Sequence, residues 1–253
     1  MTRLLYFLAI ITIIGSSFIS CKDDDDDTTA TKGDATIFFD HKWGATLEDF
    51  TLNSKLNHPM LNQEMTFTTF KYYVSNIKLK SEDGGEWWTQ PESYFLIDAT
   101  SDAASTISLK DVPAGHYTEI EILYGVDSLR NVSGAQTGVL APDLGMFWSW
   151  NSGYIMVKAE GTSPSSSTGS FAFHLGGFKG PNATLLKKTY VFNQHLEIDG
   201  VSTPKVTFVD NPARLWHGAQ GLDIISNQMA PGELAKSMSG NFYNNITFKE
   251  ITK

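Results

Sequence analysis

The stretch Met65-Thr66-Phe67-Thr68-Thr69-Phe70-Lys71-Tyr72-Tyr73-Val74-Ser75-Asn76-Ile77-Lys78-Leu79-Lys80 decides the fold. Its Phe67, Phe70, Tyr72, Tyr73, Val74, Ile77 and Leu79 lie in a β-rich run, and such side chains suit a pleated, half-buried surface. The run closes on Asp83-Gly84-Gly85, a turn signal. Working outward, similar strands are expected at Ala35–His41, Ser93–Ile97, Thr106–Leu109, Gly115–Val126, Tyr154–Ala159, Gly169–Leu175, Thr184–Phe192 and Lys205–Val209. Gly, Pro, Asn and Ser separate them. That pattern predicts an all-β fold, an antiparallel β-sandwich in one domain over residues 35–253. Short helices are expected near the end, at Glu233–Met238 and Gln220–Gln228.

Composition agrees. The 253 residues are 41% hydrophobic, 12% aromatic and only 19% charged, enough apolar material to fill a core. A net charge of −9 argues against nucleic acid as a partner, because that affinity rests on Lys and Arg neutralising phosphates. A single Cys excludes an internal disulfide framework and any Cys-cluster metal site. No G-x-S-x-G, H-E-x-x-H or phosphate-cradling Gly loop is present, so the chain reads as a non-enzyme.

The Cys is accounted for by the first segment. Arg3 precedes an apolar run from Leu4 to Ile14, too short to span a bilayer but right for a signal peptide over 1–20. Cys21 follows directly, in a pattern that resembles the lipobox of bacterial lipoproteins, whose Cys is acylated after cleavage. Phe18 stands where Leu is usual. Lys22 and the five carboxylates Asp23–Asp27 open a solvated tether over 21–34, since adjacent like charges repel and cannot pack. The Lys-acidic run looks like the lipoprotein export signal of Bacteroidetes. It implies an outer-membrane lipoprotein exposed at the cell surface, with a periplasm-facing position as the alternative.

Two blocks carry a more specific resemblance. One is Phe70–Leu79 with Asp83-Gly84. The other runs from Gly125-Val126-Asp127 through Asn131 to Met146-Phe147-Trp148-Ser149-Trp150-Asn151-Ser152-Gly153-Tyr154, and on to Phe171-Ala172-Phe173-His174-Leu175-Gly176-Gly177. Together they resemble the MbnP-like family, named for a periplasmic protein associated with the copper chelator methanobactin. The resemblance implies an exported β-protein that binds copper through His, in some relatives beside a Trp oxidised to kynurenine by a dihaem enzyme of the cytochrome c peroxidase/MauG type.

Copper favours imidazole and soft sulfur ligands. Of six His, three are expected at strand ends or loops that converge on one rim: His41, two residues from Trp43; His174, before Gly176-Gly177; and His217, after Trp216. The resemblance, more than the spacing, makes these three the candidate ligands. Asp40 or Asp127 is expected to orient an imidazole, although Asp127 reads better as a turn cap. His58, His116 and His195 read as surface residues, in a polar loop, a Gly-His turn and a hairpin. Trp43, Trp216, Trp148 and Trp150 are the candidates for oxidation. The competing reading is a surface module for glycan or another nutrient that presents Trp87-Trp88 or the Trp148 loop and serves an outer-membrane transporter.

Overall fold

Ala35, Ile37, Phe39 and Trp43 are buried at alternate positions while the residues between them are partly exposed, the period of a strand with one face on a core. The computed structural model describes residues 31–133, 136–149, 152–217 and 229–253. In chain order the strands are β1 (Lys32–Trp43), β2 (Glu48–Asp49), β3 (Lys55–Asn57), β4 (Glu64–Ser81), β5 (Trp87–Thr89), β6 (Tyr94–Asp98), β7 (Thr106–Pro113), β8 (Gly115–Tyr124), β9 (Phe147–Ser149), β10 (Gly153–Thr162), β11 (Ser170–Gly176), β12 (Leu186–Ile198), β13 (Lys205–Asp210) and β14 (Thr247–Thr252). Two α-helices are described, α1 (Ser128–Val132) and α2 (Glu233–Asn244), and a 3-10 turn spans Pro212–Trp216.

These strands form two sheets. The smaller runs β14-β13-β1-β2, with β7 also on β1; the larger runs β11-β10-β4-β8-β12, with β3, β5 and β6 also on β4 and β9 on β10. The fold is the expected all-β sandwich, with a short carboxy-terminal helix. One ladder departs from antiparallel pairing: β1 runs parallel to β13, Thr36 opposite Lys205 through His41 opposite Asp210. The long strand read from the sequence is the hub of the larger sheet. Its residues 66–72 pair with β10 and its residues 74–81 with β8.

The sheets enclose an aromatic core. Phe39 stacks on Phe208, and Trp43, Phe50, Phe67, Phe70 and Trp216 meet edge to face. Helix α2 closes one side. Ala235, Met238, Phe242 and Tyr243 recur at three- and four-residue spacing and are fully buried, with Phe242 on Phe70 and Tyr72. It extends well beyond the expected Met238, while the expected helix at Gln220–Gln228 lies outside the described residues. A second, smaller core forms where the excursion from Val126 to Phe147 packs Val126, Leu140 and Met146 against Tyr73, Tyr154 and Phe178. Tyr73 and Tyr154 fix that excursion by donating to the carbonyls of Val139 and Leu140.

Candidate metal-binding histidines

His41 lies inside the sandwich. Its Nδ1 donates to Asp210, 2.8 and 2.9 Å from the two carboxylate oxygens, and its Nε2 is 2.7 Å from Ser105 Oγ. Ser105 gives its own proton to the Asp98 carbonyl, so its oxygen accepts from His41. Both ring nitrogens therefore donate, which is the imidazolium. Burial opposes that charge, but the field and hydrogen bond of Asp210, with help from Asp40 and Asp102, outweigh it and raise the pKa. Tyr72 O–H donates to the same carboxylate at 2.6 Å, and Asp210 is wholly buried. Both ring nitrogens of His41 are thus engaged by the protein, by Asp210 and by Ser105. The orienting carboxylate is Asp210, not Asp40 or Asp127. Asp127 instead caps α1, accepting from Arg130 N–H, and also accepts from Tyr94 and Asn76.

His174 points away from the core. Phe171, Phe173 and Leu175 take the inward positions of β11, and His174 and Gly176 take the other face. His174 Nε2 sits 2.6 Å from Glu160 Oε1, and Lys158 approaches the same oxygen at 3.4 Å. Burial pushes the Glu160 carboxyl up, yet His174 and Lys158 together hold it below the usual range. Trp148 lies over Gly176, where an added Cβ would come within 2.7 Å of its ring, so only Gly leaves room for the indole. Trp150 lies outside the described residues.

His217 follows the 3-10 turn and is exposed at the mouth of a cleft of about 300 Å³. Trp43, Asn57, His58, Met60 and Arg214 share its walls. His58 is not the surface residue expected from its polar loop; it is 2% exposed and meets Trp216 edge to face at 5.5 Å. Its Nδ1 accepts from the backbone N–H groups of Met60 and Leu61, both at 3.1 Å. That fixes the proton on Nε2 and makes His58 a cap for the 58–61 turn rather than a ligand. Trp216 is fully buried, and its Nε1–H has no hydrogen-bond partner among the described residues. Trp43 Nε1–H donates to the Asn57 carbonyl at 3.1 Å.

The structure thus brings His217, Trp43 and Trp216 to one end of the core, and puts His41 and His174 elsewhere, hydrogen-bonded to Asp210 and Glu160. Among the described residues, no group of three His, Asp or Glu ligand atoms contains any of the three expected His. The group that does form is Glu82, His116 and His195. His116 opens β8 rather than sitting in a turn, and His195 lies within β12 rather than in a hairpin. Trp87 and Trp88 form the short strand β5 on β4, so their rings leave on opposite faces, Trp88 toward the core and Trp87 half out. They do not make one stacking platform.

The fold and its surface histidines define an all-β sandwich protein with two separate sets of possible ligands, neither built on Cys. The chain belongs to the MbnP family, whose profile matches residues 32–237. Among solved structures it is similar to MbnP from Methylosinus trichosporium, with 17% identity, a TM-score of 0.45, and coverage of 70% of this chain and 76% of that one. Comparison with curated protein sequences finds no match. Among the described residues no helix is long and apolar enough to cross a membrane, a statement that does not bear on β-barrels.

Proposed function

We propose that this chain is a non-enzymatic, lipid-anchored copper-binding protein for metal acquisition or handling. The observation that carries the reading is the cleft in which the His217 imidazole and the Met60 thioether share walls with Trp43. Imidazole and thioether are the borderline and soft donors that copper takes in its reduced state. Arg214 in the same wall repels a doubly charged ion more than a singly charged one, which favours Cu(I). In this reading His217 and Met60 hold the ion, and Trp43 supplies an aromatic wall. Trp216, buried beneath with an unpaired N–H, leaves a polar group that a modified neighbour would satisfy. Trp43 is the ring that reaches the cleft, so it is the first candidate for conversion to kynurenine by a dihaem partner of the MauG type. Trp216 is the second, and Trp148, packed on Gly176, is less suited. Cys21 carries the acyl chains, and an outer-membrane transporter is the natural recipient of the cargo.

Two measurements test this. The chain without its acylated Cys21, residues 22–253, is loaded with Cu(I) and challenged with a chromophoric chelator. It should keep one ion, and His217→Ala or Met60→Leu should weaken retention about tenfold or more, 1.4 kcal/mol per decade. A chain that yields all its copper to the chelator defeats the metal assignment. Intact-mass analysis of protein from its own host then reports acylation of Cys21 and oxidation of Trp. Finding neither removes the anchor and the partner enzyme from the account.

A further inference from the structure

At one end of the larger sheet, three adjacent strands bring Glu82, His116 and His195 together, far from the cleft residues in sequence and on different elements. Glu82 directly follows β4 and donates its N–H to the His116 carbonyl at 2.9 Å. His116 begins β8. His195 lies beside Leu196, which pairs with Tyr117. Leu196 and Tyr117 are buried, so the two His project to the opposite, outer face. There the rings stack 5.7 Å apart, tilted by 29°. The Glu82 carboxylate spans them, one oxygen 3.4 Å from His116 Nδ1 and the other 3.4 Å from His195 Nε2.

Those distances decide what the cluster is for. They are longer than the roughly 2.7–3.2 Å of an N–H···O hydrogen bond, so the three groups do not satisfy one another. One ligand atom from each of the three lies within 4.8 Å of the other two, a spread that small side-chain rotations close onto a metal about 2.0–2.1 Å from each ligand. The backbone supplies a second, independent sign. Between the Val191–Glu119 and Leu196–Tyr117 pairs the β12/β8 ladder shifts register, because β12 inserts extra residues opposite β8. A bulge of this kind bends its strand and re-aims a side chain, and here it brings His195 over His116. All three residues are exposed, at 42 to 51% for their side chains, so the groove stays open to a fourth ligand.

We propose that Glu82, His116 and His195 form a second metal site, an open three-ligand site for a divalent first-row ion of the Zn²⁺, Ni²⁺ or Cu²⁺ kind. Two imidazoles and a carboxylate are the donor set such ions accept, and the vacant direction faces water or a ligand from outside. The ion would also tie the ends of β4, β8 and β12.

Calorimetric titration of the full mature chain with Zn²⁺ at neutral pH tests the site. One saturable equivalent is expected, with a rise in unfolding temperature as strands are tied together. His116→Ala and His195→Ala together should abolish both effects, and Glu82→Gln should weaken binding about tenfold or more. If the double variant fails to fold, Glu82→Gln, which removes only charge from an exposed side chain, decides alone. His217→Ala and Met60→Leu should leave Zn²⁺ binding intact, so a wild-type chain that gives up its Cu(I) while still binding Zn²⁺ counts against the cleft alone. Absence of saturable Zn²⁺ uptake, or uptake undiminished in these variants, overturns the second site.

Discussion

His41 and the His116–His195 pair use the same side chain in opposite ways. Around His41 every ring nitrogen is met by the protein: Asp210 on one side, Ser105 on the other, with Tyr72 completing the carboxylate. The charge is buried and fully paired, and the group is committed to structure. Around His116 and His195 the partners stand back by 3.4 Å, and solvent reaches all three. Whether a histidine is a prop or a binding site is decided by how completely its two nitrogens are already engaged, not by its distance from a Trp in the sequence.

The largest effect should come from Asp210→Ala. It leaves an imidazolium buried without its counter-charge, and breaking such a pair costs about 3–5 kcal/mol. Urea unfolding measures it, and a loss under about 1 kcal/mol would mean His41 is neutral and not the prop described. His58→Ala is the next test. Two turn N–H groups lose their acceptor and Trp216 loses an edge contact, for about 1–3 kcal/mol. A near-neutral result there would remove the capping role from His58.

The pH dependence sharpens the contrast. The folded-state pKa of His41 lies above its ordinary value, so its contribution to stability is complete below the unfolded pKa of about 6.5. That contribution is lost as pH rises through the folded value. Stability of the wild-type chain should therefore decline from about pH 6.5 upward, and a His41→Gln variant should lack this component in parallel urea titrations. A flat wild-type profile would contradict the assignment. Smallest of all, Glu82→Gln and His217→Ala without metal should stay within about 0.5 kcal/mol, as exposed substitutions do. A larger cost at either position would make it a structural residue after all.

How much of this was readable beforehand follows the range of the interactions. The runs at Met65–Lys80 and Ala35–His41 declared their strands, because alternation is a local property and each needs only its own neighbours. The excursion past Gly125 was visible as a motif, and its Trp148 does pack at a glycine. The partner of His41 was not visible. Asp210 lies 169 residues away and meets it through a parallel ladder that no local pattern announces. His58 looked solvated because a His-Pro in a polar loop usually is; the turn that folds its Nδ1 onto two backbone donors buries it. His116 and His195 were read as turn and hairpin residues for a similar reason. A register shift in β12, which composition does not encode, sets them face to face.

The parallel contact between β1 and β13 has a further consequence for how this polypeptide is made. Its first strand cannot find its parallel neighbour β13 until about four fifths of the chain has been delivered. Until then, Ile37 and Phe39 remain on an edge with nothing to zip onto along that side, a template for unwanted association. The molecule is thus sealed from its tail. A chain cut short before Lys205 would keep its long central strand and still lack the two strands, β13 and β14, that complete the smaller sheet over its core.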